Sequence, residues 1–130
     1  MPSYGVGIDV QLISEINIDN AIFIERNFTA AEISYCSASA SPESSYAGKW
    51  AAKEAVIKAI SSLSTTSSPI WTKGSAAPLA EIEVLREEGK APVVKFHGGA
   101  KKIVKKAGVK TVKITISHSG SYAVAMAVAE

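Results

Sequence analysis

Trp50-Ala51-Ala52-Lys53-Glu54-Ala55-Val56-Ile57-Lys58, inside a longer segment from Ser41 to Leu63, is the stretch whose reading decides the fold. Ser41 can cap a helix, Pro42 suits the first helical position, and Glu43 sits where the N-terminal dipole favours negative charge. At about 100° per residue, Ala47, Trp50, Ala51, Glu54 and Lys58 fall in one sector, so an acid and a base share a face with small and aromatic side chains. A solvated face has a different composition. As an exposed i,i+4 pair, Glu54 and Lys58 would contribute only a few tenths of a kcal/mol. The row Ala47, Ala51, Ala55, Ala59 lets another backbone or a ligand come close, and a carboxylate held there calls for a cation, either a metal ion or a lysine.

The chain has 130 residues, enough for one domain with a real core, and its 47% hydrophobic content is ordinary for a globular protein. A net charge of +2 does not by itself imply nucleic acid. No apolar run approaches the roughly 18 residues of a membrane helix. These features predict a soluble protein without nucleic-acid or membrane partners. Cys36 is the single cysteine, and the N-terminus lacks the regions of a signal peptide, which fits a reducing, cytoplasmic setting.

Outward from the central segment, Tyr4 to Val10 reads as a strand with Val6, Ile8 and Val10 on one face and Gly5, Gly7 and Asp9 on the other. The glycines clear space around Asp9, a plausible metal ligand; without a third glycine they do not make a dinucleotide fingerprint. Leu12 to Ile24 suggests helical or turn structure around an Asn-rich break. Thr29 then opens a helix, with Glu32 at the capping-box spacing, a structural role for that acid. Arg26 fits a solvated position. Ser37 to Ser45 reads as a connector, and Ser61 to Ala77 as a mobile loop anchored by Ile70-Trp71. Glu81 to Arg86 and Pro92 to His97 alternate as a hairpin around Glu87-Glu88-Gly89-Lys90. Gly99 to Ala107 predicts a helix with a lysine side (Lys101, Lys102, Lys105, Lys106), closed by Gly108. Val109 to Ile116 alternates as a strand with Val112, Ile114 and Ile116 on one face, which His118 continues, and Ser117-His118-Ser119-Gly120 is expected to turn into a last strand, Tyr122 to Val128. The fold class is α+β: a small antiparallel sheet against a long central helix, with shorter helices around it.

Three segments taken together, Gly5-Val6-Gly7-Ile8-Asp9, the Trp50 to Lys58 motif and Ile116-Ser117-His118-Ser119, resemble the signatures of the holo-acyl-carrier-protein synthase family of 4'-phosphopantetheinyl transferases. Further stretches, Glu25 to Thr29, Ser41 to Ser45, Ala77-Pro78-Leu79 and His97 to Lys102, are similar in particular to the transferase domain that ends the α subunit of fungal type I fatty acid synthase. The resemblance implies that residues 1–130 form one transferase domain of a larger synthase chain. It also implies a homotrimer with sites between neighbouring chains.

The activity implied is transfer of phosphopantetheine from coenzyme A to a serine of acyl carrier protein, with release of adenosine 3',5'-bisphosphate. Breaking a diphosphate linkage with an alcohol needs charge neutralisation and positioning more than covalent chemistry. Mg²⁺ takes one or two carboxylates and leaves its other positions to water and phosphate oxygens, a supply that Asp9 and Glu54 would make. By the same resemblance Lys58 reaches a phosphate oxygen. His118 and the backbone of Ile116 and Ser117 lie near the phosphates, with Val10 and Gln11 beside the metal aspartate. Tyr35, Ser45 and the helix-to-loop region after Glu54 line the nucleotide, and Lys49 and Lys53 are further candidates for the 3'-phosphate. Glu54, a metal-bound water and His118 are all chemically able to take the serine proton.

Two departures stand out. Gln11 occupies a position where fungal domains often carry an acid, leaving its amide or backbone oxygen as the metal ligand there. Glu15 and Asp19 stand where bacterial synthases carry basic residues for the carrier; a tethered carrier at high effective concentration needs less steering. The competing reading is a catalytically weak module that binds coenzyme A and carrier. A nucleic-acid binder using Lys101 to Lys113 lacks an aromatic platform.

Overall fold

The computed structural model describes residues 4–63 and 79–130. In chain order these form β1 (Gly5–Leu12), a 3-10 turn (Ile13–Glu15), α1 (Ala21–Asn27), α2 (Ala30–Ser37) and α3 (Pro42–Ser61). A second 3-10 turn (Leu79–Glu81), β2 (Ile82–Leu85), β3 (Val93–Phe96), α4 (Gly98–Lys106), β4 (Val112–Ser119) and β5 (Tyr122–Ala129) complete the chain. The strands divide into an antiparallel three-stranded sheet, ordered β1-β5-β4, and the separate β2-β3 hairpin. This is the α+β arrangement expected, with two small sheets where the sequence suggested one.

Register explains how α3 sits. Successive rows across the large sheet are Gly5-Ala129-Val112, Gly7-Ala127-Ile114, Asp9-Ala125-Ile116 and Gln11-Ala123-His118. All four rows lie on one face, because strand side chains alternate. Gly5 and Gly7 of β1 and the alanines of β5 on that face are small, so the helix backbone comes close there. A Cβ at Gly7 would overlap the carbonyl of Ala55, one at Gly5 that of Ala59, and one at Gly48 would crowd His118 and Ile116. The alanine row of α3 therefore meets glycine on β1 and alanine on β5, and Ala51, Ala55 and Ala59 are fully buried in the main core. A second core gathers Ile16, Ile24, Phe28 and Tyr46 with Trp50, whose ring lies 5.3 Å from that of Phe23. The tryptophan of the motif is thus packed against α1.

Several expectations change in detail. The alternation in β1 holds, but its glycines face the core while Val6, Ile8 and Val10 point outward, 55%, 59% and 58% exposed. Met126 and Tyr122 of β5 are also exposed, Met126 paired to Ile8 on that outer face. Ser41 precedes α3 without capping it: its hydroxyl bonds Ser44 Oγ, and Pro42 carries the start. Strand β4 runs on through Ser119, so the turn into β5 is shorter than expected and uses Gly120 at φ 58°. Gly108, at φ 75°, follows α4 as expected. The capping box at Thr29 and Glu32 is formed in both directions. The expectations for residues 64–78, including Ile70-Trp71, lie outside the described residues. Among the described residues no helix is long and apolar enough to cross a membrane.

Candidate functional site

Two groups of the expected site residues come together, one on each flank of α3. With about 100° per residue, Glu54 and Lys58 point roughly half a turn away from Ser45 and Lys49, while the alanine row between them faces the sheet.

On the first flank Asp9 leaves β1 just beyond the buried glycines. Its carboxylate accepts a hydrogen bond from Lys58 Nζ at 3.0 Å, and the same ammonium donates to Ile8 O at 3.0 Å. The Asp9 side chain is 15% exposed and that of Lys58 53%, so the pair opens to solvent on one side. Glu54, half-buried, stands one turn before Lys58 on the same flank. Gln11 shares the inward face with Asp9, but its amide nitrogen donates to Leu12 O at 3.0 Å and to Glu15 Oε2 at 3.4 Å. That leaves the amide oxygen as its one side-chain atom for a cation. Val10 projects from the opposite face of the sheet, so its side chain is turned away from Asp9.

The two acids expected as metal ligands, Asp9 and Glu54, are hard carboxylates, and among the described residues no group of three or more His, Cys, Asp or Glu side chains that could hold a metal ion is found. Such a set suits Mg²⁺, which binds through one or two carboxylates plus water and phosphate, better than a metal that needs an all-protein cage.

On the second flank Tyr35, Ser45, Gly48, Lys49, Ile116 and His118 line a recess. His118 reaches it because β4 continues past Ile116. Its Nε2 donates to Ser44 O at 2.8 Å, so in the neutral ring Nδ1 is the nitrogen left to accept a proton. Ser117 alternates to the outer face and offers the recess backbone alone. Adjoining the recess is a larger cleft of 490 Å³, which shares Tyr35, Lys49 and Arg86 with it and adds Lys90 and Lys95 from the hairpin. The Lys49 ammonium lies 4.5 Å from the centre of the Tyr35 ring and donates to Val84 O at 2.6 Å. Burial lowers its pKa. Glu87, paired with Lys90 at 2.7 Å, is the acid in this basic cleft. A flat aromatic beside several cations is suited to a nucleotide with phosphate groups.

One expected residue falls elsewhere. Lys53 is fully buried, and its three N–H groups go to Glu32 Oε1 (2.8 Å), Leu79 O (2.9 Å) and Ile82 O (2.5 Å). Its ammonium is out of reach of a 3'-phosphate. The signal was present in the sequence: on the helical wheel Lys53 shares a sector with Val56 and Ile60, both fully buried. Arg86, Lys90 and Lys95 were missed because only the hairpin's docking onto α2 and α3 turns these separated cations toward one cleft.

The chain has clear likenesses among known proteins. A model of the 4'-phosphopantetheinyl transferase superfamily matches residues 5–127. The fatty acid synthase α subunit of Lachancea kluyveri is 50% identical over 126 residues, 97% of this chain, and that of Saccharomyces cerevisiae 50% identical over 124 residues, 95% of it. The chain spans 6% of the length of each of these relatives. Among solved structures, the ACPS–CoA complex of Chronobacterium ammoniagenes superposes with a TM-score of 0.84 at 27% identity, covering 98% of this chain and 97% of that one. Holo-[acyl-carrier-protein] synthase of Helicobacter pylori in complex with coenzyme A gives a TM-score of 0.75 at 25% identity, covering 96% and 99%. With a family model spanning nearly its full length, the same fold and half-identical relatives, this chain belongs to the 4'-phosphopantetheinyl transferase superfamily.

Proposed function

We propose that the chain transfers the 4'-phosphopantetheine group of coenzyme A to a serine hydroxyl of acyl carrier protein, with Mg²⁺, as a domain of a fatty acid synthase in the cytoplasm. The observation that carries this reading is the Asp9–Lys58 pair, formed between residues 49 apart in sequence and flanked by Glu54. The serine oxygen forms a bond to the phosphorus bearing the pantetheine arm. The bond from that phosphorus to the bridging oxygen breaks, and adenosine 3',5'-bisphosphate leaves with the electron pair. Asp9 and Glu54 would hold Mg²⁺, which supplies charge neutralisation at the diphosphate when bound. Lys58 neutralises a phosphate oxygen from the protein side. Glu54 stands where it or a water beside it can take the serine proton, and His118 offers Nδ1 from the other flank. Tyr35, Ser45, Lys49 and the hairpin cations receive the adenosine end. The buried Cys36, its thiol pushed up in pKa by burial, takes no part.

The two flanks point away from each other, and the exposed apolar face of β1 and β5 is available to cover. Both features favour self-association, and the resemblance implies a homotrimer, in which Asp9, Glu54 and Lys58 of one chain would face the nucleotide recess of the next. Incubation with coenzyme A, Mg²⁺ and apo carrier protein should add one phosphopantetheine mass to the carrier. Glu54→Gln should lower turnover at limiting Mg²⁺ by about a hundredfold or more while the fold survives, because a neutral amide is a poorer ligand. Coenzyme A binding without any mass gain would instead favour a carrier-binding module, for which the engaged amide of Gln11 speaks.

A further inference from the structure

Glu32 and Lys53 are the most completely buried ionisable pair of the described residues, and every hydrogen-bonding group of the pair is used. Glu32 Oε1 accepts from Lys53 Nζ (2.8 Å) and from Thr29 N (2.9 Å), and Oε2 accepts from Val84 N (2.9 Å). Lys53 spends its other two N–H groups on the carbonyls of Leu79 and Ile82. Strand β2 pairs with β3 on one edge alone. Its other edge would be an open row of backbone groups, yet Ile82 O, Val84 N and Val84 O are taken by Lys53, Glu32 and Lys49. A two-stranded hairpin has little stability of its own, so its position follows from what holds it. One further tie runs outward: Thr29 Oγ1 donates to Glu83 Oε2 at 2.6 Å, and His97 Nε2 donates to Glu83 Oε1 at 3.0 Å. Two residues beyond Val84 stands Arg86, facing the cleft that Tyr35 and Lys49 share.

We infer that Glu32 and Lys53 are positioning residues for the donor: they hang the hairpin on α2 and α3 so that Arg86 meets the anionic end of coenzyme A, and they set donor affinity without touching the reacting atoms. This rests on the reading of the cleft as the nucleotide site. An ion pair is suited to the task because its geometry is specific, whereas apolar packing alone would let β2 slide.

The test uses the whole 130-residue chain. The double variant Glu32→Gln, Lys53→Met leaves no unpaired buried charge. Its KM for coenzyme A and its Kd for adenosine 3',5'-bisphosphate, by calorimetry, should both rise about tenfold, with kcat within about twofold of the parent. Ile24→Val, a substitution in the second core, should lower the melting temperature and leave KM and Kd unchanged. A folded double variant with parental KM and Kd, or one that loses kcat alone, overturns the inference. If the double variant does not fold, Thr29→Val, which removes the hydroxyl tie to Glu83 and the hydroxyl's cap on Glu32 N, should shift Kd in the same direction by about threefold, and an unchanged Kd is the overturning result. A parent chain that binds the bisphosphate but transfers nothing refutes catalysis, and the ratio of Kd values still decides the positioning role. A parent chain that does not bind the bisphosphate overturns both.

Discussion

At the scale of single residues, adjacent positions in the central motif have unlike fates because a helix turns about 100° between them. Lys53 enters the core and Glu54 stays on the flank beside Lys58. The same buried network gives Glu83 a measurable role. Burial pushes its carboxyl pKa up, but the hydrogen bonds from Thr29 and His97 outweigh burial and the net shift is downward. A depressed folded pKa contributes stability above the unfolded value, near 4.5, and that contribution is lost as pH falls through the folded pKa. Urea unfolding between about pH 6 and pH 3 should therefore show the parent losing stability more steeply than Glu83→Gln on the acid side. Parallel curves for the two proteins would show that Glu83 does not carry the effect.

At the scale of elements, the contact between α3 and β1 places Asp9. Gly5 and Gly7 are valuable for what they lack, since both have helix carbonyls where a Cβ would stand. Gly7→Ala forces strand and helix apart and should destabilise the fold by about 1–3 kcal/mol, the usual cost of overpacking. It should also slow transfer, because the shift separates Asp9 from Glu54 and Lys58. Thermal melting and the carrier mass assay, run on the same samples, read the two effects. A variant as stable and as active as the parent would mean the close approach is not needed.

At the scale of the whole molecule, the two flanks and the outer sheet face make one prediction about assembly. In the proposed assembly Asp9→Asn would damage one half-site and His118→Ala the other, so each variant alone should be nearly inactive. Once mixed and allowed to exchange subunits, the pair should recover part of the parental rate, because some interfaces then combine two intact halves. A mixture no more active than the sum of its components, with a monomer in sedimentation, would assign the site to a single chain. Ile8 and Val10 on the outer face are where a neighbour would dock, since an exposed apolar sheet face of this kind marks an interaction surface.

The sequence by itself determined the elements that depend on local chemistry. Pro42 and Glu43 predict the start of α3, Thr29 with Glu32 predicts the capping box, and period-two alternation predicts β1, the hairpin, β4 and β5, because these signals act over three to eight neighbouring residues. It also put Asp9, Glu54, Lys58 and His118 forward as site residues, through motifs that lie in different elements. The tertiary structure decided which side of β1 faces the core, that Lys53 is buried with Glu32, that Arg86, Lys90 and Lys95 share a cleft, and that the expected site residues divide between two flanks of one helix. Each of these depends on which surfaces meet, and a chain read in order carries no term for the distance between residues that are far apart along it.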